Sequence, residues 1–253
     1  MASRRGQMLD GVLLLDKPAG LSSNHALQRA KRTLDARKAG HTGTLDPFAT
    51  GLLICCMGRA TKICGAMLNA DKTYIATLQF GEETDSGDCT GHVVAQAGPE
   101  FTGVDAAELE QALAAFRGEI EQIPPMYSAL KRDGKPLYEY ARQGIELERP
   151  PRRVTIHALE LLRCFDNGRM AEIRVHCSKG TYIRTLAQDI GRALGCRAHL
   201  AALRRTQAGP FDIRDAIELE TLQDMPNPQS VLVGLDALPA GLLSATEQRK
   251  EQL

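Results

Sequence analysis

The stretch AGHTGTLDPFATGLL, residues 39–53, holds Gly40, Gly43, Gly51, Pro47 and a single carboxylate, Asp46. Glycine and proline at this density punctuate a loop, not the interior of a helix or strand. Glycine also lets a backbone lie close against a ligand, because no Cβ stands in the way. The Asp46-Pro47 pair on its own is a turn former. The stretch runs on into GLLICCMG, residues 51–58, which reads as an apolar strand or a helix start.

Upstream of the loop, GVLLLDKPAG (11–20) predicts a short buried strand stopped by Pro18-Ala19-Gly20. SSNHALQRAKRTL (22–34) predicts a helix capped by Ser22 or Ser23, with Ala26, Leu27, Ala30 and Leu34 on one face. Downstream, KTYIATLQFG (72–81) alternates as a strand, and EETDSGDCTG (82–91) is an acidic loop or hairpin tip. DAAELEQALAAFRGEI (105–120) is an amphipathic helix with Leu109, Leu113 and Phe116 on one face. Residues 123–144, rich in Pro, Tyr and Lys/Arg, predict an exposed loop with a short helix. RVTIHALELLRC (153–164) and MAEIRVHCS (170–178) are strands, the second with Ile173, Val175 and Cys177 on one side. GTYIRTLAQDIGRALG (180–195) opens a helix that Gly195 stops. Strands and helices mix without strict βαβ alternation, which predicts an α+β fold.

The 253 residues suffice for a sizeable core, and 43% apolar with 25% charged residues describes a soluble globular chain. The N-terminal apolar run is bracketed by Asp10 and Asp16, too short and too acidic for a signal peptide, and no run approaches a membrane span. Seven cysteines without a C-x-x-C pair suit reduced thiols and the cytoplasm. Six scattered histidines without ligand spacing predict no metal site, and phosphate-loop, serine-hydrolase and zinc-protease motifs are absent. Net charge is zero, yet it is unevenly spread. Residues 1–62 carry ten Lys/Arg and four Asp/Glu, residues 151–210 eleven and four, and residues 63–150 seven and fifteen. The two basic blocks either converge on one nucleic-acid-binding face or are ordinary solvated surface.

Three features remain for chemistry: Asp46 in its loop, Tyr74 in the following strand, and the helix entry holding Tyr182 and Arg184. An ionised carboxylate is a nucleophile, an arginine beside it holds it ionised, and a tyrosine face can stack on a base. Each also has a structural reading: a turn aspartate, a core tyrosine, a surface arginine.

Taken in order, GVLLLDKPAGLSSN, AGHTGTLDPFATGLL, DKTYIATLQFGEETDSGD, IPPMYSALKRDGKPLYEYARQGIE and CSKGTYIRTLAQDIGRALGC resemble the TruB family of pseudouridine synthases, the bacterial enzymes that act on uridine 55 of tRNA. The resemblance covers most of residues 10–205. It implies the pseudouridine synthase fold, α+β, with a mixed, mostly antiparallel central sheet, flanking helices and a catalytic cleft. It implies Asp46 as nucleophile, Arg184 as its ion-pair partner and Tyr74 as the tyrosine that stacks on the target base. His41 enters the T-loop, Tyr182 and Leu203 make further substrate contacts, and Lys17-Pro18 supports the catalytic loop. Residues 124–147 match a mobile thumb that clamps the T-arm. The reaction is an isomerisation, so the resemblance implies tRNA as partner and no metal, cofactor or membrane. The expected enzyme is a cytoplasmic monomer.

The expected catalytic domain is 1–210. Residues 211–253 match the family's post-catalytic segment and leave no room for a full RNA-binding module of the PUA type. Two other readings use the same residues: an RNA-binding protein without turnover, and a glycoside or nucleoside hydrolase. The second needs a paired carboxylate that no motif supplies.

Overall fold

The apolar run Val12–Leu15 forms β1 (Gly11–Lys17) in the computed structural model, which describes residues 6–239 and 242. Ser22 Oγ accepts from His25 N at 3.2 Å and caps α1 (Ser23–Thr33), whose Ala26, Leu27 and Ala30 are buried. β2 (Ala39–Thr42) and β3 (Thr50–Met57) flank the glycine-rich loop, so GLLICCMG is a strand. A 3-10 turn at Gly58–Ile63 leads into α2 (Cys64–Leu68) and then β4 (Lys72–Phe80). The acidic segment is a hairpin, β5 (Glu82–Thr84) with β6 (Val93–Gln96).

Asp105 caps α3 (Ala106–Ala114) through Ala107 N and Glu108 N, and Leu109 and Leu113 are buried while Phe116 lies past the helix end. β7 (Gly118–Gln122) precedes the segment expected to be a thumb. That segment holds the two-residue strands β8 (Lys131–Arg132) and β9 (Lys135–Pro136) and the single turn α4 (Leu137–Ala141). The long antiparallel pair β10 (Arg152–Phe165) and β11 (Met170–Cys177) follows, with Ile173, Val175 and Cys177 buried as the alternation predicts. α5 (Ile183–Ala193) ends just before Gly195, which takes φ +70°. β12 (Ala198–Ala208), β13 (Phe211–Asp212), β14 (Ile217–Glu218) and α6 (Leu219–Asp224) complete the named elements.

The chain forms two compact units, Met1–Thr73 with Arg204–Leu253, and Tyr74–Leu203. In the first, a mixed sheet has the order β14-β1-β3-β12. β1 and β3 are antiparallel from Gly11↔Met57 to Lys17↔Gly51. The other edge of β3 is shared: β2 pairs with its second half and β12 runs parallel to its start at Arg204↔Thr50 and Arg205↔Gly51. One face of this sheet packs Leu13, Leu15, Leu53 and Cys55 against α1 and against Leu219 and Leu222 of α6. The opposite face packs Val12, Leu14, Leu52 and Ile54 against Ile63, Met67 and Leu238. Burial on both faces is why β1 and β3 are continuous apolar runs without alternation.

In the second unit the order is β4-β11-β10-β7, with antiparallel pairing of β10 to both β11 and β7. α3 packs on β10 and touches α5. Residues 1–5 of the first basic block, and 240, 241 and 243–253 of the last segment, lie outside the described residues.

Leu53 is fully buried between β1 and the helices. Leu53→Ala is expected to lower the unfolding free energy by about 2–5 kcal/mol, read from the urea midpoint. A loss under about 1 kcal/mol would mean that this face of the sheet is not tightly packed.

Candidate active site

Between β2 and β3 the chain turns through residues 43–49, and each part of the turn is tied down. Ser23, buried at the start of α1, holds the middle twice: Leu45 N donates to Ser23 Oγ at 2.7 Å, and that hydroxyl donates to Leu45 O at 2.9 Å. Pro47 O accepts from Gly20 N at 2.8 Å and from Lys17 Nζ at 3.4 Å. The same ammonium donates to Pro18 O at 2.8 Å and Leu21 O at 2.7 Å, so it joins the turn after β1 to the loop. Ala49 N donates to Asp46 O at 3.1 Å. Asp46-Pro47 is therefore a turn, and the partly buried Asp46 side chain rides on it.

The two ends of the loop meet at Arg205. Its Nε donates to Leu52 O at 2.8 Å and one terminal nitrogen donates to Gly43 O at 3.1 Å. A Cβ at Gly51 would lie 2.3 Å from Arg205 O, and Gly51 has φ +104°, so only glycine fits where β3 and β12 close up. Next to it, Arg204 forms a two-pronged ion pair with Asp16 at 2.6 and 3.1 Å.

Lys17 and Arg205 are 0% and 1% exposed, and both spend donors on backbone carbonyls. Burial pushes the Lys17 ammonium down from 10.5 to about 8; Asp46 opposes that shift and Arg205 adds to it. His41, at the loop's entrance, is pushed below the usual histidine range by burial and then by Arg205. Its Nδ1 is buried with no hydrogen-bond partner among the described residues. A neutral ring with an unanswered nitrogen can bind an incoming polar group.

The other expected residues belong to the second unit. Arg184, in the first turn of α5, is only 4% exposed, so it is not a surface residue. It donates to Ser86 O at 2.7 Å and Tyr127 O at 2.6 Å, and its Nε lies 3.8 Å from Asp88 Oδ2. Asp88 is itself buried and accepts from Ser86 Oγ, Thr90 N and Thr90 Oγ1. Gln122 fixes Tyr182 by accepting from its N at 3.0 Å and donating to its O at 3.3 Å. That pair sets the start of α5 and with it Arg184. Tyr74 on β4 is partly buried, and Leu203 on β12 is 8% exposed. The Arg184 bond to Tyr127 O anchors one end of the 124–147 segment.

Sequence reading missed Ser23, Arg205, Asp88 and Gln122 as supports. Arg205 sits among Arg204, Thr206 and Gln207 on β12, so the sequence held no signal that set it apart. The Asp85-Ser86-Gly87-Asp88 turn was the signal for Asp88.

This is the pseudouridine synthase fold. The chain is similar to the crystal structure of a Cbf5-Nop10-Gar1 complex, with TM-score 0.70 and 30% identity over 91% of this chain and 61% of that one. It belongs to the TruB family: residues 31–183 match the family model described as TruB family pseudouridylate synthase (N terminal domain), and residues 184–237 match the tRNA pseudouridylate synthase B C-terminal domain. The tRNA pseudouridine synthase B of Bordetella avium is 75% identical over 97% of this chain and its own whole length. That of Aromatoleum aromaticum is 57% identical, with 94% of this chain and 80% of the relative covered.

Lys17 gives this unit a pH signature. Between its folded value of about 8 and the ordinary 10.5, the unfolded chain holds a proton that the folded chain has released. Stability then rises with pH across that window. Relative to Lys17→Met, in which other titrations cancel, the wild-type protein is expected to gain on the order of 1 kcal/mol between pH 8 and pH 10 in urea unfolding. A difference that stays flat or reverses would show that Lys17 keeps its ordinary proton affinity.

Proposed function

We propose that this chain is the isomerase that converts uridine 55 in the T-loop of tRNA to pseudouridine, with Asp46 as nucleophile. The observation that carries the reading is one carboxylate on a loop held by Ser23, Lys17 and Arg205. A reacting group held in one place needs little further ordering when substrate arrives. The reaction breaks the bond between uracil N1 and ribose C1′, turns the ring, and joins C5 to C1′. The C5 proton leaves and N1 gains one, so no oxidant, reductant or water is consumed. The chemistry therefore calls for no cofactor.

The uridine must leave its stack to reach the loop, at a cost of a few kcal/mol. Stacking on Tyr74 returns ~1–3 kcal/mol of that. His41 meets the T-loop through its unanswered nitrogen. Arg184 supplies the guanidinium that keeps the nucleophile ionised. Tyr182 and Leu203 line the base's place, and residues 124–147 close on the T-arm. The enzyme works as a monomer in the cytoplasm.

Incubation with an unmodified tRNA transcript, followed by chemical mapping of pseudouridine, tests the reading; a transcript unmodified at position 55 would overturn it. Asp46→Asn should abolish turnover and keep tRNA binding, because the amide preserves shape without the nucleophile. Arg184→Lys should be impaired and Arg184→Met more so, since a lysine lacks the planar fork. Tyr74→Phe should keep the substrate affinity that Tyr74→Ala loses, by ~1–3 kcal/mol. Near-normal turnover in all of these variants would remove the assigned roles.

A further inference from the structure

Two cysteines of the first unit meet between β3 and α2. Cys56 stands on β3 opposite Gly40 of β2, and Cys64 is the first residue of α2. Strand alternation sends Cys55 and Cys56 to opposite faces of the sheet. Cys55 packs with Leu13, Leu15 and Leu53, whereas Cys56 packs with Ile63 and Met67 on the α2 side. Cys64, partly buried, lies against that second face. A Cβ at Gly40 would come within 3.6 Å of Cys64 Sγ, so the residue paired with Cys56 also borders Cys64. The two thiols are hydrogen-bonded to each other.

The pair is unequal. Cys56 donates, and that bond, followed by burial, pushes its thiol far up. Cys64 accepts. That bond is the largest influence on it and opposes burial, and Lys38 works in the same direction, so the Cys64 thiol is held below its usual 9.0. Cys55, Cys89, Cys164 and Cys196 are all pushed up, with burial as the largest cause. Cys64 is therefore the readiest nucleophile of these sulfurs, and Cys56 is a proton-bearing thiol at its side. A partly exposed, easily ionised thiol next to a second thiol is suited to react with peroxide and then close on its neighbour.

We propose that Cys64 and Cys56 are an oxidation site for small hydroperoxides, which converts to a disulfide joining α2 to β3. In the first step the Cys64 sulfur attacks one oxygen of hydrogen peroxide. The O–O bond breaks, Cys64 becomes a sulfenic acid, and the other oxygen leaves as water with the thiol's proton. In the second step the Cys56 sulfur attacks the Cys64 sulfur. The S–O bond breaks, the S–S bond forms, and the hydroxyl leaves as water with the Cys56 proton. The two sulfurs together lose two electrons, and the peroxide accepts them. The sulfurs must close to about 2.04 Å. The short helix α2, with five residues and no side-chain cap, is the element that yields.

The test is to expose the native wild-type protein to hydrogen peroxide, alkylate the remaining thiols and map the peptides. Trypsin cuts after Arg59 and Lys62, so Cys56 and Cys64 fall on separate peptides. A disulfide then appears as one joined species, lacking two hydrogens, that a dithiol reductant splits. That species is expected, formed at least about tenfold faster than any other cysteine is oxidised. In Cys56→Ser, Cys64 should stop at the sulfenic acid and be captured by dimedone, and Cys64→Ser should leave Cys56 reduced. Oxidation of wild-type Cys64 no faster than that of the exposed Cys89 would overturn the proposal. So would Cys64 ending as a sulfenic acid with Cys56 still free, or a joined species whose fragments place the bond at Cys55. These outcomes are read in the wild-type protein, so they decide the matter even if serine in the apolar core unfolds Cys56→Ser.

Discussion

The Arg205 guanidinium bridges Gly43 O and Leu52 O, and the rest of the first unit is arranged so that it can. A buried guanidinium loses several kcal/mol of hydration and must recover it from well-placed acceptors. Its acceptors are the carbonyls at the two ends of the loop, so the loop cannot open without stranding a buried charge. Gly51 lets the β12 backbone come near enough, and the β1–β3 pair fixes where Gly51 lies. Lys17 repeats the device at Pro47 O. Rigidity in this loop comes from charge satisfied by backbone more than from apolar packing.

The same two cations set the loop's electrostatics. Arg205 makes it harder for both Lys17 and His41 to hold a proton, in each case adding to the larger effect of burial. His41 is consequently neutral near pH 7 and Lys17 charged. The loop joins one neutral hydrogen-bonding ring to two buried cations held by backbone carbonyls.

Much of this was legible in sequence, and the gaps have physical causes. The helix 23–33 and the strand around 170–177 were readable because each has one wet face and one dry face. GLLICCMG was ambiguous because β3 is dry on both faces and carries no period. The motif segments pointed to Asp46, Tyr74 and Arg184 as a set, and Arg184 proved buried where a surface helix position was the alternative. Asp88 read as one more acid on a hairpin tip, yet it is buried and faces Arg184. Block charges mislead for the same reason: Arg204 is matched by Asp16 and Arg192 by Glu83, partners far away along the chain. Counting charges along a sequence cannot reveal which of them are already spoken for.

The first unit is discontinuous, with Tyr74–Leu203 running between its two parts. On a ribosome the chain emerges from its N-terminus, so the Asp46 loop is made long before Arg205 exists to hold its ends. At about 5–20 residues per second, the delay is roughly ten to thirty seconds. During that interval the second unit, Tyr74–Leu203, is being made, while β1, β3 and α1 wait for β12, β14 and α6. The nascent chain therefore carries Asp46 on an unclamped loop, which closes only after Arg205 has left the exit tunnel.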